Sequence, residues 1–260
     1  MKNKASSSLA LLMAAGTLFV TNSPLRASDT DDRIEAAAKK SYVFKTYLKD
    51  DSIKTESTGG AVTLTGTVAS ESHKSLAADT VEGLPGVTSV DNRLKVKGEH
   101  HAEHSDGWVG VKVKSALLFH RNVRATKTDV NVKDGMVTLS GDSYSLDQKE
   151  ITAEYASDVE GVKGVKNEMT VGTAPAAPSE TAEEKIDDAS ITAQVKSALM
   201  AHRSTSALKT KVETNLGVVT LTGIAKNAAE KSLVTKLVTD IDGVSSVINN
   251  MTVAAPVAKN

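Results

Sequence analysis

His100 and His104 stand four residues apart, with Glu99, His101, Glu103 and Asp106 beside them. Side chains four apart share a helical face, and two imidazoles with a carboxylate are donors suited to Zn²⁺ or Cu²⁺. The stretch reads as a charged joint between two segments, where nothing preorganises ligands. The expectation is therefore a solvated linker with no resident metal, and at most mild sensitivity to pH. His73, His120 and His202 lie far apart with no paired nucleophile in evidence. Cysteine is absent, so there is no thiol nucleophile and no disulfide. No glycines form a Gly-x-Gly-x-x-Gly phosphate loop. These patterns point away from an enzyme and require no cofactor.

Binding chemistry is better represented. Trp108 is the sole tryptophan, and Lys112 and Lys114 follow one turn on. An aromatic ring near a helix end with lysines beside it suits a membrane interface; packing in a joint between segments is the competing account. The run from Leu117 to Arg124 sets Phe119 beside Arg121 and Arg124, whose guanidinium groups suit phosphate head groups. A helix C-terminus also favours such cations through its dipole. Trp108, Lys112, Phe119, Arg121 and Arg124 are thus the candidate lipid or partner contacts.

The elements that must position these side chains come from a repeat. Gly60–Gly66, Gly135–Gly141 and Gly217–Gly223 are three versions of one alternating, β-branched run between glycines. Twenty residues later each has a third glycine followed by valine: Gly86, Gly161 and Gly243. A fixed internal period settles the architecture first. Before each run, Asp31, Asp106 and Asp188 are expected to N-cap an amphipathic helix. Its apolar face is Ile191, Val195, Ala198 and Leu199 in repeat three and Val109, Val113, Ala116 and Leu117 in repeat two. In repeat one it is Ile34, Ala38 and Tyr42, with Ser41 breaking the pattern. A strand, a tight glycine turn and the central strand follow. Ser145 with Gln148, and Asn227 with Glu230, form capping boxes that start a second helix. Gly86, Gly161 and Gly243 are expected to stop it as left-handed C-caps. The last strand carries Asn92, Asn167 or Asn249 as a turn or bulge residue. The fold class is α+β: three tandem αββαβ modules, each a three-stranded mixed sheet packed on two helices.

The 260 residues accommodate three such units at 31–98, 106–172 and 187–253. Units of this size are marginal alone, and packing between them is expected to help. Residues 1–27 have the basic start, apolar stretch and Leu25-Arg26-Ala27 end of a signal peptide. Their loss removes Lys2, Lys4 and Arg26 but no acid, from a chain with 31 basic and 32 acidic residues. A net acidic product argues against nucleic acid. Residues 173–186, rich in Ala, Pro and Glu, read as an extended linker that tethers the third unit loosely. Residues 254–260 read as a disordered tail.

The Asp-led helix, the Gly-x-Val-x-Leu-x-Gly strand, the second helix and the closing Gly-Val-x-x-Val-x-Asn run together closely resemble the BON domain. The resemblance implies binding rather than catalysis: phospholipid contact, envelope integrity, osmotic stress, or chaperoning of unfolded envelope proteins. It also implies export to the periplasm as a soluble protein. A third copy departs from the usual two, and the open sheet face is a candidate surface for repeat–repeat or partner contact.

Overall fold

A computed structural model describes residues 25–97, 104–172 and 186–254. Residues 1–24 of the expected signal, His100 and His101, most of the 173–186 linker and the tail beyond 254 lie outside the described residues.

Repeat one comprises α1 (Leu25–Lys40), α2 (Tyr42–Thr46), β1 (Ser52–Thr58), β2 (Ala61–Val68), α3 (Glu71–Glu82), β3 (Ser89–Asn92) and β4 (Lys95–Val96). Repeat two has α4 (Asp106–Leu118), β5 (Thr128–Lys133), β6 (Met136–Ser143), α5 (Leu146–Ser157), β7 (Gly164–Asn167) and β8 (Thr170–Val171). Repeat three has α6 (Asp188–Ala201), β9 (Thr210–Asn215), β10 (Val218–Ala225), α7 (Ala228–Thr239), β11 (Ser246–Asn249) and β12 (Thr252–Val253). In each, the first two strands form an antiparallel hairpin, and the central strand pairs in parallel with a last strand split in two. The three modules are therefore α+β with mixed sheets packed on helices.

Alternation places Val62 and Leu64, Val137 and Leu139, and Val219 and Leu221 on the covered face, each 1% exposed or less. Fully burying such a side chain contributes about 1.5–3 kcal/mol. Helix one of repeat one breaks where Ser41 interrupts the apolar period. Its hydroxyl bonds the Ala38 carbonyl at 2.8 Å and accepts the Phe44 amide, starting α2. The break shifts the buried position from the expected Tyr42 to Val43, which is fully buried.

The three aspartates do not cap helices. Ser105 and Asp187 are the N-caps of α4 and α6. Asp106 instead accepts the amides of Asp134 and Gly135 at 2.7 and 2.8 Å, and Asp188 those of Leu216 and Gly217 at 2.8 and 2.9 Å. Asp31 takes Gly59, Gly60 and the Ser57 hydroxyl. Both central turn residues have positive φ in every copy, the backbone of a type I′ hairpin. Such a turn leaves two amides pointing one way, and the carboxylate from the helix satisfies both.

All nine expected structural glycines have positive φ. Gly66, Gly141 and Gly223 allow the hairpin to close, because an added Cβ would sit 1.9–2.0 Å from a carbonyl oxygen of the neighbouring strand. Gly86, Gly161 and Gly243 do not stop the second helix. It ends four residues earlier, at Glu82, Ser157 or Thr239, and the glycine turns the chain against helix one. The capping boxes form, with the reciprocal bond reaching one residue further back. Gln148 Oε1 accepts the Tyr144 amide and Glu230 the Lys226 amide. Asn92, Asn167 and Asn249 break the last strand without inserting a residue, since pairing resumes in the same register.

Repeat three is not loosely held. It shares one core with repeat one, and Ala201 and Leu237 enter the core of repeat two. Contacts between repeats run through helices and helix ends, with α3 on α6 and α4 on α6. Among the described residues, no strand of one repeat joins the sheet of another.

Candidate functional site

The α4 surface divides into two unlike ends. At its start Trp108 is half-buried beside Val109, with Lys112 Nζ 4.3 Å above the ring centroid and the His104 ring 5.0 Å away. Its far edge would lie 3.5 Å from a Cβ at Gly161, so the ring leans on its own repeat. Lys112 also pairs with Glu160 at 2.8 Å, which holds that carboxyl below its usual range through the hydrogen bond and then the charge. Lys114 is exposed.

The other end corrects the expectation. Phe119 is 2% exposed, in the shared core of repeats one and three, edge-on to Tyr47 at 5.1 Å. It is closed to a bilayer. Arg121 is not a free cation for a phosphate. Its guanidinium donates to the Ile241 and Val244 carbonyls at 2.7 and 2.8 Å, capping the chain after α7. Arg124 lies 4.0 Å over the Tyr144 ring. The physical reason is docking: a helix end that is amphipathic in sequence meets another repeat, whose carbonyls and apolar atoms take the place of lipid. His104 has φ +62 and His100 is outside the described residues. Among the described residues no three His, Cys, Asp or Glu side chains are grouped to hold a metal ion.

Sequence reasoning missed the seam between repeats two and three. His120 pairs across a β-bridge with Ile241, and His202 across another with Val159. His120 Nδ1 lies 3.3 Å from Asp240 Oδ2, and His202 Nδ1 lies 3.3 Å from Asp158 Oδ2. The Arg121 amide donates to the Asp240 carbonyl, and the Arg203 amide to that of Asp158. His120 and His202 occupy equivalent repeat positions, as do Asp158 and Asp240, so the contact is reciprocal, like a two-fold interface inside one chain. The two imidazoles are 1% and 3% exposed, with ring centroids 5.9 Å apart. Tyr155 stacks on His120 at 4.0 Å and donates to Asp240 Oδ2 at 2.8 Å. Burial pushes the His120 ring below its ordinary range, only partly offset by Asp240. Asp158 is pulled down by His202, Ser204 and Arg203 against the opposing effect of its burial. The signal was available. His-Arg recurs 82 residues apart, at 120–121 and 202–203, and Asp does at 158 and 240. Repeat one has Lys45-Thr46 and Gly83 there instead.

A second joint links repeats one and three. Lys196 on α6 reaches Asp79 and Glu82 on α3 at 3.3 and 2.9 Å, and Gly83 lies close to Ala189. A hollow of about 520 Å³ there is lined by Lys40, Ser41, Pro85, Asp187 and Thr214. Asp187 is engaged, accepting the Tyr42 and Ser190 amides.

The family model described as "BON domain" matches residues 30–98, 105–173 and 187–255. Osmotically-inducible protein Y of Escherichia coli (strain K12) is 31% identical over 192 residues, covering 74% of this chain and 92% of that protein. Outer membrane lipoprotein DolP of Haemophilus influenzae is 34% identical over 144 residues, covering 52% of this chain and 74% of that protein. A solved structure of CdsD, a structural protein of the type III secretion system of Chlamydia trachomatis, spans 87% of this chain and 92% of its own at 19% identity. Its TM-score is 0.21, too low to carry an argument.

Proposed function

This chain belongs to the BON-domain family, and from that premise we propose that it is an exported, non-catalytic protein that supports the cell envelope under osmotic or related stress by contacting phospholipid surfaces. The relatives named for osmotic induction and for the outer membrane favour this setting. Among the described residues no helix is long and apolar enough to cross a membrane, so contact would be peripheral. The observation that carries the reading is the start of α4, where Trp108 stands half out of the core under Lys112, with Lys114 exposed beyond it. A ring of that kind reaches the headgroup boundary while its cations meet anionic phosphates. Arg124, spread on Tyr144, remains a secondary contact; Phe119 and Arg121 drop out.

Because Trp108 is the sole tryptophan, its fluorescence reads the contact directly. Phosphatidylglycerol vesicles should shift its emission to the blue and sediment the protein, and Trp108→Ala with Lys112→Ala should weaken sedimentation. An intact protein that neither shifts nor sediments rejects the reading.

A second reading, a holder of unfolded envelope proteins, is favoured by a different observation. Met136, Val171, Ile224, Ile248 and Val253 are large apolar side chains exposed on strands. It requires that the protein slow aggregation of an unfolded client without lipid; an unchanged aggregation rate counts against it.

A further inference from the structure

We propose that the seam between the second and third repeats is an acid-released clasp: it closes while His120 and His202 are neutral and opens when both take a proton. The argument starts from what each ring can bond. All four ring nitrogens are buried and none makes a hydrogen bond within the protein. The two Nδ1 atoms face carboxylates at 3.3 Å, but without the alignment of a hydrogen bond. A neutral ring leaves one donor and one acceptor unpaired there but brings no charge into the seam, and the His120 ring is stacked on Tyr155. An imidazolium must satisfy two donors, and here it has one poorly aligned acceptor.

The surrounding charges do not welcome two more protons. Asp240 faces His120 and already accepts from the Tyr155 hydroxyl and the Asn122 amide. Asp158 faces His202 and is engaged by the Ser204 hydroxyl, with Arg203 Nε 3.7 Å away. Arg121 crosses the seam in the opposite sense, to the Ile241 and Val244 carbonyls. Glu154 and Lys236 pair at the exposed rim at 3.5 Å. Asp158 already has Arg203 beside it, and two imidazolium rings 5.9 Å apart in a buried seam would repel each other. The lowered affinity of His120 for protons, set first by burial, agrees with this.

Release would be local. Three backbone bonds close the seam among the described residues: the Arg121 amide to Asp240, the Asp242 amide to Phe119 and the Arg203 amide to Asp158. Each repeat keeps its own sheet.

Hydrogen exchange on the purified full chain, corrected for intrinsic rates, tests this at pH 7.5 and 5.0. The amides of Arg121, Arg203 and Asp242 should lose at least about ten-fold in protection at pH 5.0 while the β5–β6 hairpin keeps its own. In the double variant His120→Asn, His202→Asn, protection of those amides should not depend on pH. Seam protection that is unchanged in the natural sequence at pH 5.0, or that falls equally in the variant, overturns the proposal. If the variant does not fold, NMR titration of the natural protein decides. The His120 ring should take its proton over the same pH interval in which seam protection falls; protonation of that ring with the seam still protected overturns the clasp.

Discussion

Asp106 Oδ1 accepts the amide of Gly135 at 2.8 Å, tying the first turn of a helix to the tip of a hairpin 29 residues away. The same bond joins Asp188 to Gly217 at 2.9 Å and Asp31 to Gly60 at 3.0 Å. It makes the turn and the helix one mechanical unit in every repeat.

Asp188→Ala should therefore destabilise repeat three by about 1–3 kcal/mol, since two amides lose a charged acceptor. Leu216, at φ +50 and 77% exposed, would lose the bond that holds it there. Thermal unfolding measures the loss.

Asp31 gives the matching pH dependence. Hydrogen bonds from the Ser57 hydroxyl and the Gly60 and Gly59 amides hold its carboxyl below the ordinary 3.8. A carboxyl depressed in the folded state contributes stability that is present above its unfolded value and is lost as pH falls through its folded value. Asp31→Asn should flatten this acid limb below about pH 4, read by chemical unfolding at fixed pH values between 2 and 6.

Phe119→Ala should cost about 3–5 kcal/mol, the usual range for emptying a buried phenyl site. Vesicle sedimentation of the variant, at a temperature where it stays folded, should equal that of the natural sequence. A selective loss of sedimentation would restore Phe119 as a lipid contact.

Asn167→Ala removes the bond to the Lys149 carbonyl at 2.6 Å and the acceptor for the Met169 amide at 3.2 Å. Met169 is 1% exposed. The cost should be about 2 kcal/mol, as for stranded buried groups, with exchange rising first at the Met169 amide.

Gly141→Ala should cost at least about 2 kcal/mol, because the new Cβ would meet the Lys127 carbonyl oxygen at 2.0 Å. Gly59→Ala, also at positive φ but facing open space, should cost about 1–2 kcal/mol. Unfolding midpoints of the two variants compare steric overlap with backbone strain alone.

The sequence analysis identified the order of elements in each repeat, because strand alternation, capping boxes and type I′ turns depend on neighbours a few residues apart. It also placed the glycines, since they recur at fixed intervals in all three copies. It misassigned the three aspartates, because an acid before a helix serves equally as a cap or as a distant acceptor, and the choice depends on where the hairpin tip lies. It placed Phe119 and Arg121 among the candidate lipid or partner contacts for a related reason. An amphipathic helix end has the same composition whether lipid or protein covers it.

The chain's own text specified three copies of one αββαβ unit, with their turns and inward faces. Tertiary structure alone decided that the third copy packs against both of the others, and so paired His120 with Asp240 and His202 with Asp158. Those partners are 120 and 44 residues apart in the chain. Only the matching of two finished surfaces brings such distant residues together, and periodicity within one segment carries no record of that match.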